Sequence, residues 1–227
     1  MNSLIMDKQR IELPDWLRCT NFLDDGEPFF GVKKRKLPVS HIVLHETAGN
    51  SASRCKAGFT KNPRRKSAHL IVDRDGSISC HADLVLDITS HARQCNPTGI
   101  GIEFVNPYAP SLVKLDMKVE TIPAKWWTWT PDKKDRRYVL PTDEQIKVLT
   151  ELVPIICHHS GVPYVFPTWF LNKKIQRIKG WKRPPLGWLA RPEAGIVAHQ
   201  DFSGHADGRY LLEHLILMSG FNGYEEG

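Results

Sequence analysis

Two short apolar runs that each end in a histidine constrain this chain more than any other feature. The first run covers 42–44 and is followed by His45, and the second covers 196–198 and is followed by His199. Short apolar runs bounded by polar and turn-forming residues are typical of buried strands. Because open sheets place their ligands at the carboxyl ends of strands, we expect the two histidines to meet at one edge of a sheet.

The loop after the second run adds further ligand chemistry. His205 and Asp207 follow His199 within a few residues. Imidazoles and a carboxylate suit Zn²⁺, and a catalytic zinc takes three protein ligands while a fourth position is left for water. The loop can supply two ligands, and His45 is the best candidate for the remaining one. The alternative is that histidines of this chain lie near an acid by chance and are surface or hydrogen-bonded core residues.

A further predicted strand carries a carboxylate. Over 99–104, the apolar residues Ile100, Ile102 and Phe104 alternate with positions that include Glu103. One face of this strand is therefore apolar and Glu103 projects from the other face. A lone glutamate on a strand is usually solvent-facing, so its role depends on where the strand lies in the sheet.

These segments resemble the zinc-dependent N-acetylmuramoyl-L-alanine amidases of the type 2 family. That family includes phage lysozyme-amidases, cytosolic anhydromuropeptide amidases and peptidoglycan-recognition proteins. The segments that carry the resemblance follow the family's order, and they are 42–48, 67–76, 99–106 and 196–207. The resemblance covers about 40–106 and 140–220.

The resemblance implies an α/β fold in which a central mixed β-sheet is flanked by helices. It implies that His45, His199 and Asp207 bind zinc and that Glu103 is catalytic. The implied reaction is hydrolysis of the amide between N-acetylmuramic acid and L-alanine, in peptidoglycan or a muropeptide, by zinc-activated water. Relatives often carry a lysine two residues before the third ligand, where this chain has His205. We expect His205 to be a catalytic oxyanion donor, and the alternative is that it replaces Asp207 as a ligand.

The chain length and the segments outside the resemblance set the predicted domain organisation. With 227 residues, of which 41% are hydrophobic, the chain is long enough for one sizeable core and short for two domains. We expect an irregular N-terminal arm over 1–38 and a zinc amidase domain over 39–227, with loop insertions at about 107–141 and 163–194. The tryptophans and cations of the insertions suit a glycan strand or single-stranded nucleic acid, or packing of the loops onto their own domain.

Several local signals predict the remaining elements. A helix is expected near 51–60, and a hairpin over 67–81. Thr142 and Gln145 form a capping box for a longer helix that Gly161 can end. A final helix is expected at about 208–219, and its predicted inward-facing residues are Leu211, Leu212, Leu215 and Met218.

Net charge limits the candidate partners, and cysteine content limits the candidate disulfides and metal sites. The formal net charge of +6 and the pI of about 9.1 favour an anionic partner, and both nucleic acid and cell-wall polymer qualify. Five cysteines without Cys-x-x-Cys spacing indicate neither a disulfide scaffold nor a cysteine zinc site, although a single pair such as Cys80 with Cys95 stays open. No apolar stretch approaches the ~20 residues of a membrane helix.

Two other classes of function stay open. A non-catalytic peptidoglycan-recognition module shares the fold, although such proteins typically lose a zinc ligand. A basic nucleic-acid-binding protein explains the charge but not the ordered His, Glu, His and Asp set, so we expect no specific nucleic acid partner. The first ten residues place their charges after a short apolar run, the reverse of a secretory signal. We therefore expect cytoplasmic synthesis, with action on the cell wall after lysis or dedicated delivery, or action in the cytosol as a recycling enzyme.

Overall fold

The computed structural model describes residues 2–108, 117–122, 136–166, 194–199 and 207–219. The strands in this part of the chain are β1 (Ser3–Met6), β2 (Gln9–Glu12), β3 (Cys19–Asn21), β4 (Lys33–Lys34), β5 (His41–Glu46), β6 (Leu70–Val72), β7 (Ile78–Cys80), β8 (Asp87–Ile88), β9 (Gly99–Phe104), β10 (Val119–Ile122), β11 (Arg136–Val139) and β12 (Gly195–Ala198). The helices are α1 (Ala52–Lys61), α2 (Asp143–Ser160) and α3 (Arg209–Met218), and a 3₁₀ turn covers Arg93–Cys95.

A six-stranded mixed sheet with the order β12-β5-β9-β6-β7-β3 forms the centre of the fold. The strands β12, β5, β9 and β6 run parallel to one another. Strand β7 is antiparallel to β6, and β3 is parallel to β7. This sheet and its flanking helices confirm the expected α/β fold. The register pairs His45 of β5 with Glu103 of β9.

The two faces of the sheet have different partners because side chains alternate along each strand. On one face, Ile42, Leu44 and Ile102 belong to the main core, which includes buried residues of α2 and α3. On the other face, Phe59 of α1 clusters with Ile71 of β6. The residues of β5 and β9 that point away from the main core are therefore directed towards the α1 side.

The helix and hairpin predictions are confirmed, with one error. Ser51 caps α1, Thr142 and Gln145 form the capping box of α2, and Gly161 ends α2 with a φ of 74°. The strands β6 and β7 form the expected antiparallel pair. In α3 the three leucines are buried as predicted. The inward placement of Met218 is wrong: it is 65% exposed, because the last turn of the helix extends past the core.

The prediction that the N-terminal arm over 1–38 is irregular is wrong. Strands β1 and β2 form a hairpin, and β3 joins the main sheet as an edge strand. The hairpin turn consists of Asp7 and Lys8, which have φ values of 50° and 64°. Their N–H groups donate to the carboxylate of Asp83 at 3.0 and 2.7 Å. A tertiary contact therefore holds a turn that lacks the usual Asn-Gly or Asp-Gly sequence.

The structure describes only part of each predicted insertion. In the first, β10 and β11 pair in antiparallel register, while the tryptophans at 126–129 lie outside the described residues. The basic and aromatic stretch at 169–183 also lies outside them. No disulfide joins any of the five cysteines, all of which the structure describes, so Cys80 and Cys95 are not paired. Within the described ranges, no helix combines the length and the apolar character needed to cross a bilayer.

Candidate metal centre

Two strand ends and the start of α3 bring three side chains together at an edge of the sheet. His45 lies near the end of β5, His199 directly follows β12, and Asp207 lies two residues before α3. Their ligand atoms all lie within 4.8 Å of one another, so the three residues could hold a metal ion. The structure therefore places together the three residues that the sequence suggested as ligands.

The donor atoms of this cluster fit zinc in type and spacing. Asp207 Oδ2 lies 2.6 Å from His199 Nδ1 and 3.8 Å from His45 Nδ1. A tetrahedral zinc with bonds of about 2.0–2.2 Å keeps its ligand atoms about 3.4 Å apart, and the two distances bracket this value. Two nitrogens and one carboxylate oxygen are also the donor types of catalytic zinc sites.

The electrostatics of the cluster favour the protonation states that bind metal. Burial lowers the pKa of His45 and so favours its neutral imidazole. Burial also acts to raise the pKa of Asp207, but the hydrogen bond with His199 and the nearness of His45 outweigh it and hold that pKa far below its usual range. Neutral imidazole and ionised carboxylate are the forms that act as metal ligands.

His91 fixes the orientation of His45, and no sequence pattern indicated this residue because it lies in a loop. Burial lowers the pKa of His91 well below its ordinary value, so the ring is neutral. Its Nε2 lies 3.3 Å from the Gly99 carbonyl, which can only accept a hydrogen bond, and its Nδ1 lies 3.1 Å from His45 Nε2. His91 Nδ1 is then the acceptor and His45 Nε2–H the donor. We infer that His45 Nδ1, which faces Asp207, carries no proton and is free to bind a metal.

Glu103 lies beside the cluster, on the neighbouring strand. Its Oε2 is 4.0 Å from His45 Nδ1, as the pairing of the two residues in β5 and β9 requires. Burial, with the negative charges of Asp207 and Glu46, raises the pKa of Glu103 well above its ordinary value. The predicted strand alternation is confirmed, because Glu103 points away from the main core and lines a cleft.

The cleft has a volume of about 440 Å³ and contains the whole cluster in its wall. Other parts of the wall come from α1 and from the loop that follows it, including Arg54 and Lys66. Neither cation forms an ion pair within the described part of the chain. The loop at 62–66, which follows α1 and contains Arg64, Arg65 and Lys66, thus contributes at least Lys66 to the cleft.

Comparison with known proteins identifies the family. A family model described as N-acetylmuramoyl-L-alanine amidase matches residues 35–208, a span that contains the cluster and Glu103. The chain belongs to the N-acetylmuramoyl-L-alanine amidase family. Membership supports a function related to peptidoglycan. Among curated proteins, none matches the chain.

Solved structures that match this amidase-family chain have low sequence identity to it. Drosophila PGRP-LB is 11% identical with a TM-score of 0.48, and the match covers 92% of this chain and 99% of that chain. The endolysin N-acetylmuramoyl-L-alanine amidase LysCS from Clostridium intestinale is 11% identical with a TM-score of 0.48, covering 89% and 95%. The Ph2119 endolysin from a Thermus scotoductus bacteriophage is 14% identical with a TM-score of 0.42, covering 87% and 99%.

His205 is the one proposed site residue of this amidase-family chain that lies outside the described residues. Its role as an oxyanion donor stays a prediction. Sequence reasoning also missed Glu46, although the signal was present: a carboxylate follows Ile42 and Leu44 on the face of β5 that is otherwise apolar.

Gly208 lets Asp207, the third ligand candidate, lie close to β5. Its φ is +75°, and a Cβ atom at this position would lie 1.9 Å from the Leu44 carbonyl oxygen. We expect Gly208→Ala to lower the free energy of unfolding by about 2–5 kcal/mol, from left-handed strain and steric overlap together. Gly161→Ala is the matched control, because Gly161 has a φ of +74° with nothing within 4 Å of such a Cβ. It should cost only about 1–2 kcal/mol. Urea unfolding of the metal-free proteins measures both values, and equal costs would contradict the packing argument.

Proposed function

We propose that the protein is a zinc-dependent N-acetylmuramoyl-L-alanine amidase. Its substrate would be the amide between the lactyl group of N-acetylmuramic acid and L-alanine, in peptidoglycan or a muropeptide. One observation carries this proposal: His45, His199 and Asp207 meet beside Glu103 in a single cleft, in a chain that belongs to this family.

The three ligand candidates would hold the zinc, with His45 using the Nδ1 atom that His91 leaves unprotonated. When bound, zinc supplies Lewis acidity, which polarises a carbonyl and lowers the pKa of water towards about 7. The cluster occupies the wall of the cleft, where a substrate amide can reach it.

Glu103 is the proposed general base and acid. Its carboxylate would take a proton from the attacking water and deliver it to the nitrogen of L-alanine as the carbon–nitrogen bond breaks. A new bond joins the water oxygen to the lactyl carbon, so the products are a carboxylate and an amine. The raised pKa of Glu103 makes it a stronger base than an exposed glutamate.

Two further groups are proposed to act on the substrate. Arg54 and Lys66 line the cleft and would attract the carboxylates of a stem peptide. His205 would donate an N–H group to the oxyanion of the tetrahedral intermediate, in the place where relatives often carry a lysine.

Digestion of purified peptidoglycan tests the reaction class. We expect soluble peptides with a free N-terminal L-alanine and no increase in reducing sugar ends, because an amide rather than a glycosidic bond is cut. Mass spectrometry of the released peptides and a reducing-sugar assay measure the two outcomes. Binding to peptidoglycan without any new amine would instead assign the protein to the recognition modules.

A further inference from the structure

Glu46 is a buried carboxylate that the proposed reaction does not use. It is 2% exposed and ends β5 on the face through which Ile42 and Leu44 enter the main core. Placing a carboxylate out of water is costly unless it is hydrogen-bonded or paired. Within the described residues, no lysine or arginine forms an ion pair with it. An apolar side chain at this position would pack in the core without the cost of burying a carboxylate. Core packing therefore does not explain why a glutamate stands here.

Glu46 contacts both Asp207, the third ligand candidate, and the adjoining Gly208. Its backbone N–H donates to Asp207 Oδ1 at 2.6 Å, and its side-chain Oε2 accepts from the backbone N–H of Gly208 at 3.1 Å. With Oδ1 engaged in this way, Asp207 directs Oδ2 towards His199 and His45. The backbone N–H of Glu46 therefore decides which oxygen of Asp207 faces the histidines, and the Glu46 side chain holds the adjoining Gly208 N–H.

The other side of the Glu46 carboxylate is held by two buried donors. Asn106 Nδ2 donates to Oε1 at 2.8 Å, and the Tyr138 hydroxyl donates to the same carboxylate. Asn106 is itself held by Val139 and Arg74. Tyr138 belongs to β11, within the first predicted insertion at about 107–141.

We propose that Glu46 is a positioning residue for Asp207, and that Tyr138 holds Glu46 in place so that the β10–β11 segment sets the affinity of the metal site. The inference rests on the metal site of the proposed function. Its physical basis is that a carboxylate is an acceptor only, and here it meets three donors from Gly208, Asn106 and Tyr138. A glutamine amide cannot replace it, because its NH₂ group would face one of these donors.

The test measures Zn²⁺ dissociation constants of the full-length protein by competition with a chelator. We expect Glu46→Gln to weaken zinc binding about 10–100-fold, the usual effect of losing a partner that orients a metal ligand. Tyr138→Phe should weaken it about 10-fold, at the lower end of that range. Tyr210→Phe is the matched control. The ring of Tyr210 stacks on Tyr138 at 5.3 Å between ring centroids, but among the described residues its hydroxyl forms no hydrogen bond with Glu46. This variant should bind zinc as the wild type does.

Two further readouts separate positioning from general stability. The absorption spectrum of the Co²⁺-substituted protein should change in Glu46→Gln and Tyr138→Phe but not in Tyr210→Phe, since the spectrum reports ligand geometry. Urea unfolding of the metal-free variants shows whether the fold is intact. If Glu46→Gln does not fold, the zinc affinity of Tyr138→Phe tests the positioning role instead.

Wild-type dissociation constants and an unchanged Co²⁺ spectrum in the folded variants would overturn the inference. A loss of metal-free stability without any change in zinc affinity would overturn it as well, because the role would then be structural. Amide hydrolysis is not a readout here. A wild type that binds zinc but releases no peptides would contradict the proposed function and leave this test in force.

Discussion

Alanine at His45 or at Asp207 is expected to abolish zinc binding and amide hydrolysis together. Each substitution removes one of three donors whose ligand atoms lie within 4.8 Å of one another, and two remaining protein ligands do not make the three-ligand set of a catalytic zinc site. Zinc content after gel filtration should fall from about one per chain to near zero. Peptide release from peptidoglycan should fall to background in the same preparations.

His158→Ala is the matched control for these variants. His158 is an exposed histidine in the last turn of α2, so its loss removes an imidazole without touching the cluster. This variant should keep wild-type zinc content and activity. Full zinc retention in both His45→Ala and Asp207→Ala would refute the assignment of the ligands.

Glu103→Gln should retain zinc and the fold but lose about 10²–10⁴-fold in kcat, the usual span for removal of a general base or acid. Glutamine keeps the size of the side chain and cannot accept a proton from water. Since burial raises the pKa of Glu103, the wild-type rate should fall on the acid side as this carboxylate becomes protonated. In Glu103→Gln this group no longer titrates, so the residual rate should not fall in that acid range.

Zinc content, kcat and the pH–rate profile of Glu103→Gln are the measurements. Glu151→Gln serves as the control, because Glu151 is exposed on α2, and it should leave both the rate and the profile unchanged. Nearly normal turnover by Glu103→Gln would assign Glu103 a structural role only.

The placement of the site could be predicted because it follows from strand patterns. The apolar runs before His45 and His199 identify β5 and β12, which run parallel and therefore end at the same edge of the sheet. Alternation in β9 places Glu103 on the face opposite Ile102. Short-range patterns thus determine which side chains share the cleft.

The features that could not be predicted depend on contacts between distant segments. The turn at Asp7 and Lys8 is held by Asp83, so the first strands carry no local turn signal. The hydrogen bond between Tyr138 and Glu46 spans 92 positions of the sequence. No periodic pattern in the sequence indicates contacts between residues that lie so far apart. His91 belongs to the same class, because only the folded chain brings its loop against His45.

We propose that this protein uses water to cut the amide between N-acetylmuramic acid and L-alanine at a zinc-dependent site. Digestion of purified peptidoglycan in H₂¹⁸O by the zinc-loaded protein tests it most directly, with the chelator-treated protein as the comparison. We expect mass spectrometry to find ¹⁸O in the new lactyl carboxylate and free L-alanine termini on the peptides, and to find neither product after zinc removal. Label in a sugar hemiacetal or in a peptide carboxylate, or equal activity without zinc, would contradict the proposal.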